Sequence, residues 1–249
     1  MPYKKMRIET RKRVGYLILD GGSRFNKLSV TAIRELKRAF TQLEAADEVG
    51  CIVLSGWPGE SFAVGADIGQ MRSFTPLEGL QFSELGQSLF EQMERCTKPI
   101  VCALNGITMG GGFDLALACD IRIASDKALI AHPGARLGII TGFCGTQKLP
   151  RLVGKSRARE IFLTCDSYGA AEALQMGLVD RLVAADQYWA DVITLAERIA
   201  TMPSRSLTWA KQLINLAEDT NLQSGCLAEQ AAAALCGSEY LGTSKSVCG

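Results

Sequence analysis

No stretch of this chain approaches the ~20 consecutive apolar residues that a bilayer-crossing helix needs, so no membrane span is expected. Neither sign of charge forms a run: 27 basic residues nearly cancel 26 acidic ones. That balance, without a basic-aromatic face, argues against nucleic acid as a partner. None of the nine cysteines forms a C-x-x-C pair. They lie mostly in apolar stretches such as CIVLSG at 51 and IVCALNG at 100, and the charged start MPYKKMRIETRKR is followed by no leader-like apolar segment. Reduced, buried thiols in a cytoplasmic protein are the reading this favours. The glycine-rich stretches also lack two familiar signatures. GGGFD does not have G-x-G-x-x-G spacing, and GWPGESFAVGAD does not end in the Lys-Ser/Thr of a phosphate-binding loop.

What is present is α/β grammar. With 47% hydrophobic residues, 249 positions suffice for one large domain with a substantial core. The alternation in KMRIET and RVGYLILD predicts a hairpin followed by a turn at Gly21-Gly22. Ser29 stands before TAIRELKRAFTQLEAAD, where Ile33, Leu36, Phe40 and Leu43 recur at helical spacing. CIVLSG is then a buried strand leading into WPGESFAVGADI. A helix over about 77–95, the strand PIVCAL, the turn Asn105-Gly106 and the helical GGGFDLALA repeat the pattern. Further strands are expected at DIRIAS and KALIAH. Helices are expected over about 144–153, 156–165, 169–176, 186–201 and 204–217, with the short apolar GLVDRLV among them.

Two loops end core strands in small residues and pass straight into helices: SFAVGADI at 61–68 and NGITMGGGFD at 105–114. A helix N-terminus has unpaired N–H groups and positive partial charge, and glycine lets a ligand reach the main chain. Two such N–H groups converging on one oxygen would form an oxyanion hole. On glycine counts alone, close packing of helix on strand and simple chain turning are the favoured reading.

The strings SFAVGADI, NGITMGGGFDLALACDIRIAS, LGIITGFCGTQKLPRLVG and AAEALQMGLVDRLV, in this order and spacing, resemble the successive signatures of the crotonase (enoyl-CoA hydratase/isomerase) superfamily. The likeness covers roughly residues 7–215. It implies an α/β fold, a ββα spiral core over 1–200, and a helical C-terminal trimerisation region over 201–249, shortened relative to the family. It also implies an acyl-CoA thioester as substrate, with coenzyme A entering only as part of that substrate, no metal, and a homotrimer or dimer of trimers. By the same match the oxyanion donors fall on Ala66 and Gly111, with Gly110 beside the substrate. Main chain from Ala63 through Gly65, Ala66, Asp67 and Ile68 would line the CoA channel, with Arg24 and Lys27 near its phosphates.

The resemblance breaks at the acid/base pair. Hydratases of this family use two glutamates; here the first position is Asp114 and the second is Gly134, which has no side chain to transfer a proton. His132, the only histidine, stands two residues before the gap. Asp114, His132, Cys144 and Arg136 are therefore the groups to weigh, each with a purely structural role as its alternative, while the resemblance places Gly134 and the pocket-loop residue Thr141 beside the substrate. Isomerase, decarboxylase, C–C hydrolase, ring-forming synthase and non-catalytic acyl-CoA binder all stay open beside hydratase.

Overall fold

The computed structural model describes residues 2–56 and 58–245, with the side chains of 238–245 excepted. The chain opens with β1 (Met6–Arg11) and β2 (Val14–Leu19), paired antiparallel as expected. The tight turn between them falls on Lys12 and Arg13, both at positive φ (45° and 65°). This is the mirror-type turn that suits strand twist, here made without glycine, so the sequence signal at Gly21-Gly22 marks only the exit from β2. Ser29 caps α1 (Val30–Ala45), its side chain accepting from the Ala32 N–H.

The remaining strands fill two sheets. β3 (Cys51–Ser55) is followed by the short β4 (Ser61–Ala63), then α2 (Ile68–Met71) and α3 (Pro76–Arg95). The same step recurs with β5 (Ile100–Leu104), β6 (Ile107–Met109) and α4 (Gly111–Leu117), and again with β7 (Ile121–Ser125), β8 (Leu129–Ala131), a 3-10 turn (Pro133–Leu137) and α5 (Gly145–Thr164). After β9 (Ser167–Gly169) and α6 (Ala170–Met176), β10 (Arg181–Val183) closes the larger sheet. That sheet has the order β1-β2-β3-β5-β7-β10, parallel beyond its opening hairpin; the smaller has the order β4-β6-β8-β9. Each turn of the ββα spiral lays one strand in each sheet.

Both faces of the larger sheet are covered, which explains why its strands read as unbroken apolar runs. Ile52, Leu54, Ile100, Cys102 and Leu104 point into the main core with Leu36, Phe40 and Phe90. The alternate residues Cys51, Val53, Val101 and Ala103 meet Tyr188, Val192, Leu195 and Ile199 of α7 (Tyr188–Ala200) on the other face. α5 is two helical segments joined at Gly154, whose φ of 80° and ψ of 158° no other residue adopts easily. This matches the two helices expected on either side of 154.

Next come α8 (Ser204–Leu216) and α9 (Leu222–Lys245). α8 is anchored to the core by the buried Lys211, whose Nζ donates to Met93 O at 2.8 Å and lies 3.0 Å from Asp120. α9 falls in the helical region expected over 201–249, although no individual helix is placed beyond 217 from the sequence: its apolar residues form no helical stripe, so the periodicity that betrays the other helices is missing. The last four residues of the expected 201–249 region lie outside the described residues. Among the described residues no helix is long and apolar enough to cross a membrane.

Candidate active site

The spiral brings the two glycine-rich loops side by side. After β4, Val64 N–H donates to Asn26 O (2.8 Å), Leu28 N–H to Gly65 O (2.8 Å) and Asp67 N–H to Leu28 O (3.2 Å). This stitching fixes the first loop yet uses every second group, so Ala66 N–H has no backbone partner among the described residues. Gly65, at φ 89°, is pressed on the second loop: a Cβ there would stand 2.9 Å from Met109 O and 3.0 Å from Gly111 N. Gly110 then takes φ 52° and ψ −127°, glycine territory, and turns the chain into α4. Gly111 N–H lies in the open first turn of that helix. A Cβ on Gly111 would be 3.6 Å from Ala66 N, so the two donors named in the sequence are neighbours.

Asp114, one turn into α4, has no exposed surface. Thr141 Oγ1 donates to its Oδ2 (2.5 Å) and itself accepts from Phe143 N–H (3.0 Å), which locks the hydroxyl. His132 Nε2 is 3.3 Å from Oδ1 and 3.5 Å from Oδ2, and only the second contact has hydrogen-bond geometry. Burial pushes the Asp114 carboxyl above the ordinary aspartate range, while His132 and Thr141 pull in the opposite direction. Oδ1 is left without a hydrogen bond. It faces Gly145: a Cβ at 145 would fall 2.0 Å from it. Gly145→Ala should therefore displace the carboxyl, lower turnover by about tenfold or more and cost about 1–3 kcal/mol of stability; urea unfolding together with initial rates would check both. Wild-type rates in that variant would mean the carboxyl's position is immaterial.

The imidazole of His132 stacks on Phe162 with 4.3 Å between ring centroids, and its Nδ1 is buried without a partner. Gly134 lies next to it: a Cβ there would be 3.7 Å from Nδ1 and 3.8 Å from Cε1. His132 and Thr141 form part of the wall of an apolar cavity of about 650 Å³ between the 3-10 turn, the 139–141 loop and α5. That volume lies within the range of small-molecule sites. Asp114 does not reach this cavity; it stands behind His132 and Thr141.

The other expected residues are placed less centrally. Ala63 is fully buried in β4 and presents no surface to a ligand, whereas Ala66, Asp67 and Ile68 are part-exposed. Arg24 pairs with Glu60 at 2.8 Å and lies over the Phe25 ring; Lys27 is 3.8 Å from Asp67, which caps α2. Cys144 is half-buried, and burial first, then the charge of Asp114, raises its thiol pKa, which suppresses the thiolate a nucleophile needs. Arg136 points to Thr164 O and Asp166 on the surface rather than into the cavity. Sequence reasoning missed the seal over Asp114. Phe143 packs between Phe82 and Phe90 and over Gly111, and neither it nor Gly145 carries a chemical signature.

The enoyl-CoA hydratase/isomerase family model matches residues 9–238. The chain belongs to that family. Among relatives, it is 33% identical to a crotonyl-CoA hydratase of Syntrophomonas wolfei, covering 95% of this chain and 91% of the relative. It is 36% identical to a probable enoyl-CoA hydratase of Rhizobium meliloti, over 90% and 86% of the two chains. The fold superposes on the crystal structure of an enoyl-CoA hydratase from Thermoplasma volcanium with a TM-score of 0.89, at 31% identity over 94% of this chain and 93% of that one. Membership accounts for the fold.

Proposed function

We propose that this family member converts a CoA thioester through an enolate, with the Ala66 and Gly111 N–H groups holding the oxyanion and the Asp114–His132 pair moving a single proton. The observation that carries this reading is the placement of His132: Nε2 on the buried Asp114, Nδ1 unpartnered beside Gly134. With the Nε2 proton held by the carboxyl, Nδ1 keeps its lone pair and can take a proton from substrate and return it. The electrons of the broken C–H bond pass to the thioester oxygen, where two N–H dipoles meet them. A carboxyl sealed from solvent serves here to orient and stabilise the imidazole. Isomerisation or protonation of an enolate needs one such carrier. Hydration, the activity in the relatives' names, needs a second group to orient water, and Gly134 supplies none.

Substrate thus brings coenzyme A with it and no separate cofactor is required. Assembly is read as a homotrimer or dimer of trimers in the cytoplasm. The test is a panel of enoyl-, malonyl-, 3-oxoacyl- and aromatic-CoA esters incubated in D2O and analysed by mass spectrometry. Deuterium at the α-carbon of one class, with slow crotonyl-CoA hydration, is the expected result. Rapid hydration that persists in an Asp114→Asn variant would overturn it.

A further inference from the structure

The cavity beyond His132 has a charge pattern that proton transfer does not use. Its walls are apolar, from Ile139, Ile140, Ala158, Phe162 and Leu163, yet Arg151, Lys155 and Arg159 also line it and no aspartate or glutamate does. Lys155 and Arg159 are four residues apart on the segment of α5 after Gly154, so they share a face of that segment, while Arg151 stands before the break. Like charges at that spacing repel and weaken a helix. Arg151 is partly committed, donating to Gln147 O at 2.8 Å with Glu218 3.8 Å away. Lys155 and Arg159 have neither an ion pair nor a hydrogen bond among the described residues. A largely apolar basin lined both by His132 and by two unpaired cations suits an acyl group that is mostly apolar and carries one anionic group.

We infer that the acyl group of the substrate carries a distal carboxylate, held by Lys155 and Arg159 in the cavity that His132 also lines. The inference rests on the enolate reading above, because that reading directs the acyl carbons past His132 into this cavity. The CoA phosphates are a second source of negative charge, but they belong to the opposite end of the thioester, on the side of the 63–68 loop. Arginine and lysine along one helical face can grip a carboxylate from two directions, and hydrogen bonds to a charged partner are the stronger kind. Between head and tail the chain would meet mostly the apolar Ile139, Ile140, Ala158, Phe162 and Leu163, with Thr146 and Gln147 as polar groups of the same lining.

The test compares an unbranched saturated acyl-CoA with the acyl-CoA of equal length whose last carbon is a carboxylate. Exchange of the α-proton in D2O is measured for the full-length wild type and for Lys155→Gln/Arg159→Gln. Wild-type enzyme should exchange the carboxylated ester with a kcat/KM about tenfold or more above the uncharged one. The double variant should lose that preference while its rate on the uncharged ester stays within about twofold, and inhibition by free CoA should not move. Exchange of both esters at equal kcat/KM by the wild type would overturn the inference and leave the enolate reading standing. No exchange of either ester would defeat both. A changed mass of the double variant in light scattering would overturn the inference in favour of a second copy of the chain as the partner of these cations.

Discussion

Asparagine at position 114 is expected to produce a more stable protein that barely turns over. Asp114→Asn keeps the shape but cannot hold the Nε2 proton of His132 as a carboxylate does, and loss of a general acid–base group or its orienting partner costs roughly 10²–10⁴-fold in rate. Stability should move the other way. Burial, the largest influence on Asp114, raises its pKa in the folded state, so folded protein binds that proton more tightly than unfolded chain. The contribution to stability is present in full below the unfolded aspartate value of about 3.9 and is lost as pH rises through the folded value. Asparagine never ionises and escapes that loss. Its melting temperature should exceed that of the wild type at neutral pH, by about 2–4 °C for each kcal/mol in a chain of this size, and the gap should close in acid. Calorimetry of both proteins at pH 4 and pH 7 reads the difference; a variant less stable at pH 7 would show that the Thr141 and His132 bonds outweigh burial.

The second large effect concerns His132. His132→Gln should lower α-proton exchange by about 10²–10⁴-fold, since an amide cannot carry a proton near neutral pH. Adding Gly134→Glu to it should create crotonyl-CoA hydration about tenfold or more above the wild-type rate. Gly134 has ordinary backbone angles, and the nearest obstacle to a side chain is Ile139 O, 3.0 Å from the Cβ position, so the 3-10 turn must give by a few tenths of an ångström. The larger obstacle is the imidazole, into whose space a longer side chain would grow, which is why the two changes belong together. Hydration no faster than the wild type's in a folded double variant would show that a carboxyl at 134 does not complete the site.

Much of this was legible in the sequence because burial on both faces writes itself as runs such as CIVLS and IVCAL, and because caps such as Ser29 have local signatures. The paired loops were legible through their glycines. β4, β6 and β9 were not: each is three residues long and, unlike the equally short β8 in KALIAH, sits among glycine and turn residues that read as loop. Nor was the turn at Lys12-Arg13, where the strands on either side impose a conformation that neither residue prefers. In the site, the sequence brought Asp114, His132 and Thr141 forward as separate candidates. That they form one hydrogen-bonded group, with the carboxyl sealed and the imidazole facing the cavity, depends on how α5 and the 139–145 loop fold back over α4, and local pattern is silent on that.

Gly154 divides α5 into two segments, of which only the first touches Asp114. Residues before it close over Asp114 through Gly145 and line the cavity through Thr146, Gln147, Pro150 and Arg151; residues after it, from Lys155 to Leu163, supply more of the wall. A helix without that break would transmit a change in one half to the other as a shift of the whole rod. With it, side chains from Lys155 to Leu163 can change without displacing Gly145 from its place against Asp114.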